Sequence, residues 1–235
     1  MLKKSLFAFF TLVNVTFVFA QTIDVQHYKF QILLTENSDT IKANATVQVR
    51  FNKDASEFRL NLKSVNASGK GMTVYQVFEE VPISFAHAND TLTIYLQKPA
   101  EKNEMRTFLI YYYGIPADGL IISKNKYGDR TFFADNWPNR AQNWIPCNDV
   151  PSDKASVDFI VTAPVHYKVI SNGIRMDERN TGANEKTTYW REEILLPTKV
   201  MVIGAAKFAV KKFENSPDTI PVSAWVYPQD SMKGF

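Results

Sequence analysis

From Val25 onward the chain alternates apolar and polar positions. Tyr28, Phe30, Ile32 and Leu34 interleave with Lys29, Gln31 and Leu33, and a polar turn follows at 36–39. The longest alternation comes next. Ile41, Ala43, Ala45, Val47, Val49 and Phe51 fall on one side, and Lys42, Asn44, Thr46, Gln48 and Arg50 on the other. Period two over this length predicts a strand with one buried and one wet face, and the two segments together predict a hairpin. Shorter strands are predicted over 58–62, 72–77, 91–96, 107–113, 119–123, 131–133, 156–162, 168–171 and 187–195. An apolar stretch at 200–210 is interrupted by Gly204. Turn clusters at 67–71, 88–90, 172–173 and 181–184 separate them. Three consecutive tyrosines, 111–113, predict a strand covered on both faces. No segment of helical length sustains a 3.6-residue period. The pattern predicts an all-β protein of antiparallel sheets packed face to face.

One stretch breaks the alternation. Residues 135–163, DNWPNRAQNWIPCNDVPSDKASVDFIVTA, crowd three prolines (Pro138, Pro146, Pro151), two tryptophans and the chain's one cysteine into their first half. Proline fixes φ and donates no hydrogen bond, so this spacing excludes a continuous helix or a central strand. A rigid, aromatic-rich loop feeding a strand is predicted, and long ordered loops on a β scaffold commonly carry function. Trp137 and Trp144 are expected as packing anchors.

Composition narrows the function classes. Residues 1–20 carry a basic start (Lys3, Lys4), a mostly apolar run from Leu6 to Val18 and a small-residue cleavage site at Ala20, which predicts a signal peptide and a secreted or periplasmic protein. A retained signal anchor is the alternative; the run is short for a membrane span, so no stable membrane insertion is expected after cleavage. Removing that leader takes away two lysines and no acids, so the formal charge of +3 falls to +1. With no basic run, nothing favours nucleic acid. About 215 residues remain, enough for a large core. A lone Cys147 forms no internal disulfide and reads as a buried structural thiol.

Catalytic constellations are absent. His27, His87 and His166 lie far apart without acids at metal-ligand spacing, and no H-E-x-x-H, Cys-x-x-Cys or G-x-S-x-G motif occurs. The pairs Glu79–Glu80 and Glu192–Glu193 are sequence neighbours, which in strands point to opposite faces. No catalytic residue and no metal ligand is expected within this chain. Within the loop two readings stand. Asp149 could bond backbone N–H groups of the turn while Lys154 pairs with a carboxylate. Alternatively, Asp135, Asn136 or Arg140 could line a binding cleft.

Pro146-Cys147-Asn148-Asp149-Val150-Pro151-Ser152-Asp153-Lys154-Ala155 resembles the P-C-F-D-E-P-x-x-K-A signature in the N-terminal domain of the aminopeptidase N family of zinc metallopeptidases, peptidase family M1. Ala141 and Trp144 fit its lead-in, and 135–140 looks like a branch of secreted bacterial members. Further landmarks run in order at Asp24-Val25, Tyr113-Gly114, Ser171-Asn172-Gly173 and Leu196-Pro197-Thr198. The resemblance implies a β-saddle domain over 21–213 that packs on a thermolysin-like catalytic domain. That domain would hold the zinc and the G-A-M-E-N and H-E-x-x-H motifs, with peptides as substrates. It also implies that 214–219 is a linker and that the strand expected at 220–227 opens the catalytic domain, cut short at Phe235. The signature residues Pro146, Cys147, Asp149, Pro151, Lys154 and Ala155 are implied to be structural. The family's substrate-contacting glutamine falls on Asp135, with Asn136 beside it; an acid there suits a peptide's free α-amino group. Three positions depart from the pattern: Gln142 for arginine, Asn148 for phenylalanine and Val150 for glutamate. A free-standing β-sandwich module that binds peptide or protein without catalysis is the reading from another class.

Overall fold

In the computed structural model, which describes residues 21–213 and 221–235, the first two alternating segments form β1 (Ile23–Leu33) and β2 (Ile41–Phe51). They pair antiparallel, with Tyr28 opposite Val47 and Ile32 opposite Ala43. Every odd-numbered position of β2 is buried, because each points to the core side of the pleat. The chain continues through β3 (Ala55–Asn61), β4 (Gly71–Phe78), β5 (Phe85–Ala88), β6 (Thr91–Ala100) and β7 (Met105–Ile115). Then come β8 (Leu120–Lys124), β9 (Arg130–Ala134), β10 (Lys154–Pro164), β11 (Lys168–Ser171), β12 (Ile174–Asn180), β13 (Glu185–Pro197) and β14 (Ile203–Ala206). A hairpin of β15 (Ala209–Phe213) and β16 (Val222–Val226) and a four-residue helix, α1 (Ser231–Gly234), follow. The leader, 1–20, and the expected linker, 214–219, lie outside the described residues.

Seven strands form one sheet in the order β12-β13-β10-β1-β2-β7-β4. A three-stranded sheet (β3-β6-β5) and a four-stranded sheet (β11-β14-β9-β8) share one core with its inner face. Phe58 of β3 meets Phe51 of β2 edge-on at 5.8 Å and Phe108 of β7 at 4.7 Å. At the other end Trp190 of β13 donates its indole N–H to the Val169 carbonyl of β11 at 3.0 Å. The all-β class and the face-to-face layers are those expected from the alternation.

Four features differ from the expectation. The sheet is mixed, because β1 runs parallel to β10; no turn joins strands so distant in sequence, so no local signal fixes their direction. The strand β12 was not expected: beyond Ile174 and Met176 it is wholly polar, and at the edge of the sheet all seven of its residues are exposed. The stretch 200–210 divides into β14 and β15, which belong to different sheets. Tyr112 is buried, but Tyr113 is 44% exposed, so the outer face of β7 is not covered.

Candidate functional site

The proline-rich loop hangs between β9 and β10 and is fastened from three sides. Asp135 donates its backbone N–H to the Gly119 carbonyl at 2.6 Å. Gly119 holds a positive φ of 76°, and a Cβ there would sit 2.2 Å from the Arg140 carbonyl oxygen; only glycine allows that approach. A single turn of 3-10 helix at Ala141–Asn143 then drops Trp144 into the core. Its ring stacks on Phe159 of β10 at 6.3 Å, 12° from parallel. The indole N–H donates to Asn136 Oδ1 at 2.8 Å. Asn136 Nδ2 in turn donates to the carbonyls of Thr198 and Met201, at 3.2 and 2.6 Å. Asn136 is buried, and its side-chain bonds all return to the fold.

The signature lies just behind. Cys147 and Asn61 of β3 exchange backbone hydrogen bonds at 2.7 and 3.1 Å, and Asn61 Oδ1 accepts from the Asp149 N–H at 3.1 Å. Asp149 accepts from the Thr198 hydroxyl at 2.6 Å and from the Gln142 N–H at 3.3 Å, so it ties the loop to the segment after β13. Cys147 is fully buried, and burial pushes its thiol well up. Pro146 and Ala155 are buried and Pro151 exposed. Lys154 is exposed and, among the described residues, has no carboxylate within 4.0 Å, contrary to the ion pair expected of it.

Asp153 is the buried acid of this region. It accepts from the Val25 N–H at 3.2 Å and from the Asn148 amide. Burial pushes its carboxyl up from 3.8 to about 6; Asn148 and the Val25 N–H pull the other way, and Asp24 adds to the rise. An acid whose pKa is higher folded than unfolded binds its proton more tightly in the native state. Its contribution therefore favours the fold below pH 4 and is lost as pH rises from about 4 to 6. The full shift corresponds to about 3 kcal/mol, reduced to on the order of 1–2 by screening at the rim of the site. Urea unfolding of wild type and Asp153→Asn across pH 4–7 should show wild type losing that increment relative to the variant. A difference that grows the other way contradicts the buried-acid account.

The exposed side of the loop carries the charge. The Arg140 guanidinium reaches Asp118 Oδ1 at 3.4 Å, pairs with Asp135 Oδ2 and donates from Nε to the Trp137 carbonyl at 2.6 Å. Those bonds and charges raise the Arg140 pKa, that of Asp135 first. Asp135 remains 57% exposed. Two carboxylates and one guanidinium leave a net negative charge. Trp137 beside them is 60% exposed, with Lys199 Nζ 4.4 Å from its ring centre. It is thus not the packing anchor expected; Trp144 alone fills that role. Asp118 and Lys199 escaped the sequence reading because they lie 17 positions before Asp135 and 62 after Trp137. The Asp118-Gly119 turn pair was the one local signal.

The arrangement can hold a cation against Asp135 and an apolar group against Trp137. It offers no nucleophile. Among the described residues no three His, Cys, Asp or Glu side chains converge as metal ligands. His27 bonds Ser156 at 2.8 Å, His87 the Leu62 carbonyl at 2.9 Å and His166 Glu36 at 2.8 Å.

Residues 24–200 match the family model described as the peptidase M1 N-terminal domain. Among solved structures, the M1 zinc metallopeptidase from Deinococcus radiodurans superposes with a TM-score of 0.72 at 20% identity, covering 86% of this chain and 46% of that one. A point mutant of that enzyme gives 0.74 at 17% identity, covering 88% and 48%. The mutant bound to the substrate Tyr-Ser-Ala gives 0.72 at 19% identity, covering 86% and 46%. At these identities the likeness is one of fold. The chain spans just under half the length of these structures. No curated protein matches it.

Proposed function

The chain belongs to the peptidase M1 N-terminal domain family, and on that premise we propose that it forms one wall of the substrate cleft of a zinc-dependent aminopeptidase that removes N-terminal residues from peptides. The observation that carries the reading is Asp135. It is an exposed acid at the family's substrate-contacting position, held by Arg140 on a loop anchored through Trp144 and Asn136. A carboxylate fixed in this way accepts hydrogen bonds from a peptide's α-ammonium, and charge-assisted bonds of this kind are about twice as strong as neutral ones. Asn136, buried and saturated, acts by holding the loop.

The residues described here do not fit zinc, since their histidines are engaged separately and no ligand set converges. The metal and the reacting groups therefore belong to a separate catalytic domain, the proposed partner of this one. On this reading the present chain is inactive alone, with its domain boundary near 213. The N-terminal leader further favours a secreted or periplasmic location.

The deciding experiment is the intact mass and zinc content of the native gene product, with hydrolysis of alanine p-nitroanilide measured alongside. A product two to three times the size of this chain, holding about one zinc and active, is expected. A native protein of this chain's size without zinc or activity would replace the reading with that of a free-standing binding module.

A further inference from the structure

Among the described residues nothing covers the outer face of the seven-stranded sheet, and its residues are not those of an ordinary wet face. Pairing across the strands aligns Tyr111, Asn44 and Gln31 in one row. The next row holds Tyr113, Lys42, Leu33, Thr162, Thr187 and Arg179. Between the rows runs a shallow groove of about 510 Å³. At one end Tyr75, 57% exposed, stands 5.9 Å from Tyr111 and 6.0 Å from Tyr113, centre to centre, and Phe78 meets Tyr111 edge-on. In the middle Asn44 Nδ2 donates to Gln31 Oε1 at 3.1 Å. That bond leaves the Asn44 carbonyl and the Gln31 amide facing outward, an acceptor and a donor side by side. Lys42 and Arg179 line the groove with no carboxylate among the lining residues, although Arg179 Nε lies 3.7 Å from Asp177 Oδ2 on its own strand.

We propose that this groove binds an acidic polysaccharide, a uronate-bearing chain lying across the strands from Tyr75 to Arg179. Exposed aromatic rings offer flat apolar faces with a polar edge, which match the C–H faces of pyranose rings. The outward amides suit vicinal hydroxyls. Lys42, with no carboxylate within 4.0 Å among the described residues, suits a uronate carboxylate, and Arg179, 3.7 Å from Asp177, adds a part-neutralised cation at the far end. A peptide is a poorer fit. Peptides add to a free sheet edge through backbone bonds, whereas the face of a sheet has its backbone groups already paired. The span from β4 to β12 covers six strand spacings, roughly 29 Å, room for several sugar units.

Affinity electrophoresis of the purified chain in gels containing polygalacturonate, dextran or polyglutamate tests this directly. Retardation is expected in polygalacturonate alone. Tyr75→Ala and Lys42→Gln should each weaken it by at least about tenfold, with unchanged melting temperatures because both side chains are at the surface. Equal retardation by dextran would remove the role of the cations, and equal retardation by polyglutamate would reduce the groove to a generic anion patch. Variants that bind like wild type, or no retardation in any gel, overturn the proposal. So does a wild-type dimer in sedimentation that Tyr75→Ala converts to monomer, since a second copy would then occupy the face. None of these outcomes depends on whether the chain serves a peptidase.

Discussion

Replacing Trp144 by alanine is expected to destabilise the protein by about 3–5 kcal/mol, the usual cost of emptying a fully buried aromatic site. Three connections disappear together: the stack on Phe159, the bond to Asn136 and, through Asn136, the hold on Thr198 and Met201. Against a total stability of 5–15 kcal/mol for typical domains, this is a large fraction. Thermal unfolding should move down by about 6–20 °C for a chain of this size. Trp137→Ala is the internal control. Its ring is exposed and meets mainly Lys199, so its cost should stay within about 1 kcal/mol. Equal losses from the two substitutions would mean that the loop is not anchored through Trp144.

The second large effect concerns binding. In the full-length enzyme under the proposed function, Asp135→Ala should raise KM for peptides with a free N-terminus by about 10–100-fold, the size of one charged hydrogen bond. The substitution removes an acceptor and also leaves Arg140 with the Trp137 carbonyl and, at 3.4 Å, Asp118 as its one carboxylate partner. The clasp goes from two carboxylates against one guanidinium to one against one, so the incoming ammonium meets a neutral pair. Because the same contact exists in ground and transition states, kcat should change little. N-acetylated peptides, which lack the ammonium, should be indifferent. A variant with wild-type KM, or one whose loss follows its melting temperature, would take Asp135 out of the cleft.

How much of this was readable in advance follows from the range of each interaction. The strand β2 was legible to its end residues because one buried face imposes period two on eleven consecutive positions. The loop was legible through proline and tryptophan, whose constraints are local. The parallel neighbour of β1 was not, because nothing in either strand records its partner's direction. Asp135 and Asn136 looked equivalent as sequence neighbours, yet one faces water and the other fastens the loop to carbonyls more than 60 positions away. The acid-arginine-acid clasp joins two turns on either side of the β8–β9 hairpin, and only that hairpin brings Asp118 to Arg140.

The parallel pair also sets an order of events for the nascent chain. His27 of β1 and Ser156 of β10 touch across 129 positions, and β1 lies at the middle of the widest sheet. The first strand to be synthesised is therefore flanked on one side at once by β2, and on the other only after two-thirds of the chain exists. Contacts of such span slow folding, because the loop must close before any of them forms. Until β10 arrives, one edge of β1 stays open to any passing strand. Synthesis rate and chaperone attendance over residues 33 to 154 should thus govern the yield of soluble protein more strongly than the same interval in a simple meander of hairpins.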